Sequence, residues 1–147
     1  MTIFLALRVL YAAFLIATTV LGMAFGGRSE RLGAMIVLTA SLATIFIQIP
    51  LLFEWKSFRS GLIAVDILTL IAFLYLALKS RRFWPLWATA FHLIAVCSHC
   101  VILMGLSQTL QMYILFQGFW AYPIMLLIIF GALSRRRTPN PRRPTTT

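Results

Sequence analysis

The sequence predicts an all-α membrane protein, a bundle of about five transmembrane helices, and three observations carry that expectation. Of its 147 residues, 61% are hydrophobic and 11% charged, with a mean hydropathy of +0.94, far above the roughly half-apolar composition of soluble domains. The apolar residues fall in stretches of about twenty, the length that crosses a hydrocarbon core of about 30 Å at 1.5 Å per residue. The basic residues gather in the short connections and the C-terminal tail, outside those stretches.

Cutting the chain at its charge clusters gives five spans: Ile3 to Phe25, Leu32 to Phe53, Leu62 to Leu78, Trp84 to Leu106 and Tyr113 to Leu133. The third is the shortest. The connections, from Gly26 to Arg31, Glu54 to Gly61, Lys79 to Phe83 and Ser107 to Met112, have lengths usual between neighbouring helices of a bundle. Residues 1–134 thus form one transmembrane domain. Residues 135–147 form a basic tail of Arg, Pro, Thr and one Asn, beginning at Arg135. From Thr138 onward it has no apolar residue to bury, so a disordered tail is expected.

A formal net charge of +10 would suggest a nucleic-acid partner in a soluble protein. Here the charge sits where Lys and Arg set membrane orientation, and no nucleic-acid partner is expected. With the C-terminus inside, the inner side holds ten basic residues: Arg28, Arg31, Lys79, Arg81, Arg82, Arg135, Arg136, Arg137, Arg142 and Arg143. The outer side holds Lys56 and Arg59, with Arg8 near the outer face. That bias predicts an N-terminus out, C-terminus in topology. Arg8 followed by Val9 to Gly22 also has the charged start and apolar core of a secretory signal. Cleavage near Ala24 would place Lys79 to Arg82 and the arginine tail outside, so a retained first helix is the expectation. Arg135, Arg136 and Arg137 would anchor the last helix, with anionic headgroups as the alternative role.

Inside the spans the informative residues are polar, because they are costly in lipid and face the bundle interior or a pathway. Helices joined by a short turn run antiparallel, so residues at one height have numbers summing to about twice the middle of the turn. Arg8 with Gln48, Gln48 with Asp66, Asp66 with His99, and His99 with Gln117 all meet that condition to within about three. Each helix therefore supplies one strongly polar residue to a layer in the outer leaflet: Arg8, Gln48, Asp66, His99 and Gln117. Ser41, Thr44 and Gln48 share one stripe, and Ala88, Thr89, His92, Ala95 and His99 another, both expected to face inward; Thr19 and Thr69 are minor members. The layer admits two readings. In one it is a satisfied polar core, with Asp66 paired to Arg8 or His99; in the other it is a proton, ion or small-molecule site open to the outer face.

No catalytic residue, metal ligand or cofactor is expected. His92 and His99 are seven apart, hence on nearly one face but about 10 Å apart along the helix, so they cannot share a metal. They are the only histidines, an awkward pair for bis-histidine haem. Cys97 and Cys100 flank His99 within one turn but have no second ligand cluster, and they are expected to be buried, inert thiols. Pro85 suits the first turn of the fourth helix, while Phe83, Trp84 and Trp87 would place aromatic rings at the inner interface. A kink is expected at Pro123, and Gly22 with Gly26 offers a helix contact.

Asp66 in the third span, the run Arg82-Phe83-Trp84-Pro85-Leu86 opening the fourth, His99 late in it, and Tyr122-Pro123 in the fifth together resemble a group of small multi-span inner-membrane proteins of alphaproteobacteria. The group has no assigned activity, so the resemblance implies location and architecture alone. The function expected is that of a non-enzymatic accessory or structural subunit, with the lipid bilayer and a membrane-protein partner or second copy as its contacts. A small transporter or proton-coupled sensor is the first alternative, and a haem- or quinone-binding redox subunit the second.

Overall fold

Glycine, proline and one carboxylate set the helix boundaries of this chain. A computed structural model describes residues 2–48, 55–103 and 118–136, and the side chains of 5–48, 60–99 and 118–134. The described residues form five helices and no strand: α1 (Thr2–Phe25), α2 (Arg28–Ile47), α3 (Trp55–Lys79), α4 (Trp84–Leu103) and α5 (Ala121–Arg136). Each helix packs on its neighbour in the chain, α5 closes the ring against α1, and α2 touches α5 across the middle. Three segments, Leu5–Phe25, Arg28–Ile47 and Ser60–Lys79, are long and apolar enough to cross a membrane, and Ala121–Ser134 is a shorter apolar helix. The faces turned away from the bundle are apolar too, with Leu78, Phe83 and Phe130 largely exposed.

Three boundaries differ from those the sequence predicts. The first connection shrinks to Gly26 and Gly27, because α2 starts at Arg28 rather than Leu32. Its first turn accommodates charge by sending Arg28 and Arg31 outward and Glu30 inward. Helix α3 starts at Trp55 rather than Leu62, since a helix continues past an apolar span wherever its polar side chains still reach water. Before α5, residues 118–119 are helical and Trp120 forms a turn, so that Pro123 falls in the first turn of a helix opening at Ala121. The kink expected at Pro123 is thus a break ahead of it, and in the first turn of α5 its missing N–H costs no hydrogen bond within that helix. Pro85 is likewise the second residue of α4. The predicted span residues 49–53, 104–106 and 113–117, and the tail from 137, lie outside the described residues.

The core is a cluster of Leu15, Ala34, Val37, Phe73, Leu76, Trp84, Ala88, Ile124, Met125 and Ile128, drawn from all five helices. Trp84 belongs to it. Expected among the interfacial rings, Trp84 is buried, whereas Phe83 and Trp87 are exposed. The indole fits because glycine faces it from two helices. A Cβ on Gly33 of α2 would lie 2.5 Å from Trp84 Cη2, and one on Gly131 of α5 would lie 3.1 Å from Trp84 Cδ1. Gly22 serves the α1–α2 contact in the same way, its missing Cβ 2.8 Å from Ala34 Cβ.

Gly33→Ala is therefore expected to lower stability by about 1 to 3 kcal/mol through overpacking against the indole. Leu78→Ala, on the outward face, is expected to change it by about 0.5 kcal/mol or less. Thermal melts of the purified variants in one detergent measure the difference.

Candidate functional site

Two acids organise the interior, the half-buried Asp66 near the middle of α3 and the buried Glu30 at the end where the α1–α2 and α3–α4 connections lie. The first is Asp66 of α3, facing the polar stripe of α4. His99 is buried, and its Nε2 lies 2.6 Å from Asp66 Oδ2, a short hydrogen bond for a nitrogen–oxygen pair. His92, two turns earlier on the same face of α4, has its Nε2 3.1 Å from the backbone oxygen of Asp66 and 4.0 Å from Oδ1. A carbonyl only accepts, so this bond makes the Nε2–H tautomer of His92 the donor. The ring of Phe73 packs against His92 at 6.0 Å between centroids. The seven-residue spacing thus lets the two imidazoles bracket one residue, the carboxylate bonded to one and the main chain to the other.

The other members of the predicted layer are placed differently. Arg8 lies on the exposed side of α1, and no ion pair joins it to Asp66. Gln48 is exposed at the C-cap of α2, and Gln117 lies outside the described residues. Helices α1, α2 and α5 contribute hydroxyls instead. Tyr11 Oη and Ser41 Oγ are 2.7 Å apart across α1 and α2, and Tyr122 Oη donates to the Leu7 carbonyl at 3.2 Å, joining α5 to α1. The Tyr11 and Tyr122 rings meet edge-on at 6.0 Å. These tyrosines escaped the sequence argument because a Tyr within an apolar run counts as hydrophobic until its hydroxyl is seen to need a partner. Thr19, Thr69 and Thr89 donate to carbonyls four residues back in their own helices, Leu15, Val65 and Pro85, so they join no helices together.

The second acid is Glu30, which the sequence argument passed over as part of a connection. Only 1% exposed, its Oε2 accepts the Gly27 N–H at 2.8 Å and its Oε1 accepts the Trp84 indole N–H at 3.1 Å. Arg82, nearly half exposed, lies at 3.9 Å on the rim. Glu30 is the third residue of α2, so its bond to Gly27 is the carboxylate half of a capping box, and a negative charge there also suits the helix dipole. A signal was present: Gly27-x-x-Glu30 stands directly before an apolar run, within a cluster of glycines. Ser29 Oγ and Ser80 Oγ, 3.0 Å apart, tie the start of α2 to the end of α3 at the same end.

Chemically, the Asp66 centre can hold and pass a proton between a carboxylate and an imidazole. Among the described residues no group of three or more His, Cys, Asp or Glu has the geometry of a metal site. The Nε2 atoms of both histidines, the usual haem ligands, are turned to Asp66, which does not fit axial ligation. Cys97, expected to be buried, is exposed on the outer face of α4; the side chain of Cys100 lies outside the described residues.

The geometry makes His99, rather than Arg8, the partner of Asp66. In a double-mutant cycle scored by thermal stability in detergent, Asp66→Leu and His99→Leu should couple by about 0.5 to 3 kcal/mol, whereas Asp66→Leu and Arg8→Leu should be additive within about 0.5 kcal/mol. Asp66→Asn, whose amide oxygen can still accept from His99, should cost less than Asp66→Leu. Additivity of the Asp66–His99 pair would contradict the site.

No protein-family model, curated protein or solved structure matches the chain, so its function has to be argued from these two centres and from its surface.

Proposed function

We propose that this chain is a five-span protein of a bacterial inner membrane, with its N-terminus outside and its basic C-terminus inside, and that it acts as a non-enzymatic accessory subunit packed against another membrane protein or a second copy of itself. The observation that supports this reading is that the two interior acids are engaged within the bundle: Glu30 with Gly27 and Trp84, Asp66 with His99. Polar groups bonded across helices hold a bundle together, and the acids' principal contacts are with structural elements. The surface left for function is the outward apolar face. The ten-to-two distribution of basic residues supports the orientation.

A second reading, a small proton-coupled transporter or sensor, is favoured by one specific observation, the 2.6 Å contact of an acid and an imidazole within the span. An intramembrane carboxylate beside a histidine is suitable material for a proton relay. The two readings part at Asp66→Asn. An accessory subunit keeps its partner and its cellular role when the amide preserves the fold, whereas a relay loses its role with the fold intact.

Two measurements test the proposal. Native-membrane purification in mild detergent should bring down a stoichiometric membrane partner or a homo-oligomer; a lone monomer that moves protons in liposomes would replace the accessory reading with the second. A reporter fused after Thr147 should be cytoplasmic and one inserted between Ser107 and Met112 periplasmic, and the reverse pattern would overturn the topology.

A further inference from the structure

Two cavities adjoin at Leu32 on the outer face of α2. One, of about 340 Å³, is a groove between the helices, lined by Met35, Thr39 and Ala43 of α2 and by Val65, Thr69 and Ala72 of α3. The other, of about 370 Å³, lies at the start of α2 against Gly26, Gly27, Arg28 and Arg31. Leu32 lines both. We propose that these two adjoining cavities together bind one anionic phospholipid, with its phosphate on Arg28 and Arg31 and an acyl chain lying in the α2–α3 groove. The inference rests on the membrane-spanning reading of the chain and gives its apolar surface a specific occupant.

The groove exists because small residues, Thr39, Ala40 and Ala43 on one helix and Thr69 and Ala72 on the other, leave the space between α2 and α3 unfilled. It is apolar because Thr69 spends its hydroxyl on the Val65 carbonyl at 2.7 Å. From Leu32 to Ala43 the groove follows α2 for about 17 Å at 1.5 Å per residue, about half the 30 Å hydrocarbon thickness and so the depth of one leaflet. Its length and its position below a charged mouth suit a chain of the leaflet that the arginines face.

The charge at the mouth is unbalanced by the neighbouring acid. Glu30 lies between Arg28 and Arg31 in sequence but points into the core, where Gly27 and Trp84 occupy its oxygens and Arg82 is the cation beside it. Arg28 and Arg31 are exposed, and among the described residues neither has an ion pair. Two guanidiniums above an apolar groove complement a phosphate above a hydrocarbon chain. The same groove offers nothing to the cationic part of a zwitterionic headgroup.

The test is retention of phosphatidylglycerol against phosphatidylcholine of identical chains by the full-length protein, read by native mass spectrometry from detergent. Phosphatidylglycerol should be preferred by about thirtyfold, the two arginines contributing about fivefold each. Arg28→Gln with Arg31→Gln should abolish the preference, while Arg81→Gln, outside both cavities, should keep it. Ala40→Leu and Ala43→Leu, two independent ways of filling the groove, should reduce phosphatidylglycerol binding in whichever variant keeps its helix content by circular dichroism. Soluble glycerol phosphate, the headgroup without a chain, should not compete. Equal retention of the two lipids, a preference that survives the double arginine variant, or binding indifferent to groove filling would overturn the site. Release of the chain from membranes by alkaline carbonate would instead overturn the membrane reading itself.

Discussion

A carboxylate cannot be removed from water without compensation, and the burial of Glu30 is the constraint on which one whole end of the bundle depends. Leaving such a group unpaired costs several kcal/mol, so the chain must bring it donors, and it does so from two directions. The Gly27 N–H comes from the helix's own start, and the Trp84 N–H comes from the start of α4. Because the second donor is a large indole, satisfying the acid also drives a bulky ring into the core at that end of the bundle. That ring then demands space, which Gly33 and Gly131 provide. Helices α2, α4 and α5 are placed by this single requirement, and α1 follows through the contact of Gly22 with Ala34.

The second acid works over a different distance. Asp66 joins α3 to α4, and it engages α4 twice, at His99 and at His92. Two contacts seven residues apart fix both the register and the rotation of α4 against α3, since a slide of one turn would carry both imidazoles away from Asp66. The hydroxyls of Tyr11 and Tyr122 perform the equivalent task for α1, α2 and α5. Interhelical polar bonds in membrane proteins contribute about 0.6 to 2 kcal/mol each, so specificity of packing is a larger consequence of this network than raw stability. In a bundle whose surfaces are apolar on both sides, inside and outside differ little in hydrophobicity. The polar contacts decide which face of each helix turns inward.

That division of labour leaves the outward surface for recognition. The small residues that open the α2–α3 groove do not carry the core, and the arginines above it are released from local pairing because Glu30 is committed elsewhere. One inward turn of an acid thus completes a structural centre and bares two cations at the same helix start. The proposed accessory role and the proposed lipid site are compatible on this surface, since a bound anionic lipid would supply part of the contact area for a neighbouring subunit or copy.

Composition and spacing alone determined that this chain is helical, that its helices are apolar along their length, and that Asp66 and His99 stand at one height. These follow from hydropathy and from the 1.5 Å rise, properties that act along one helix or between two neighbours joined by a turn. The packing decided what no single helix contains. Arg8 and Gln48 satisfy the same height rule as Asp66 and His99, yet they face outward, because height says nothing of rotation about the helix axis. Trp84 has the composition of an interfacial ring and becomes a core residue only because glycines on α2 and α5, far away in the chain, leave a hole of its shape. Glu30, among charged residues in a short connection, has every local mark of a solvated side chain. It is buried because its two donors, one close in sequence and one fifty-four residues away, converge on it only when the bundle closes.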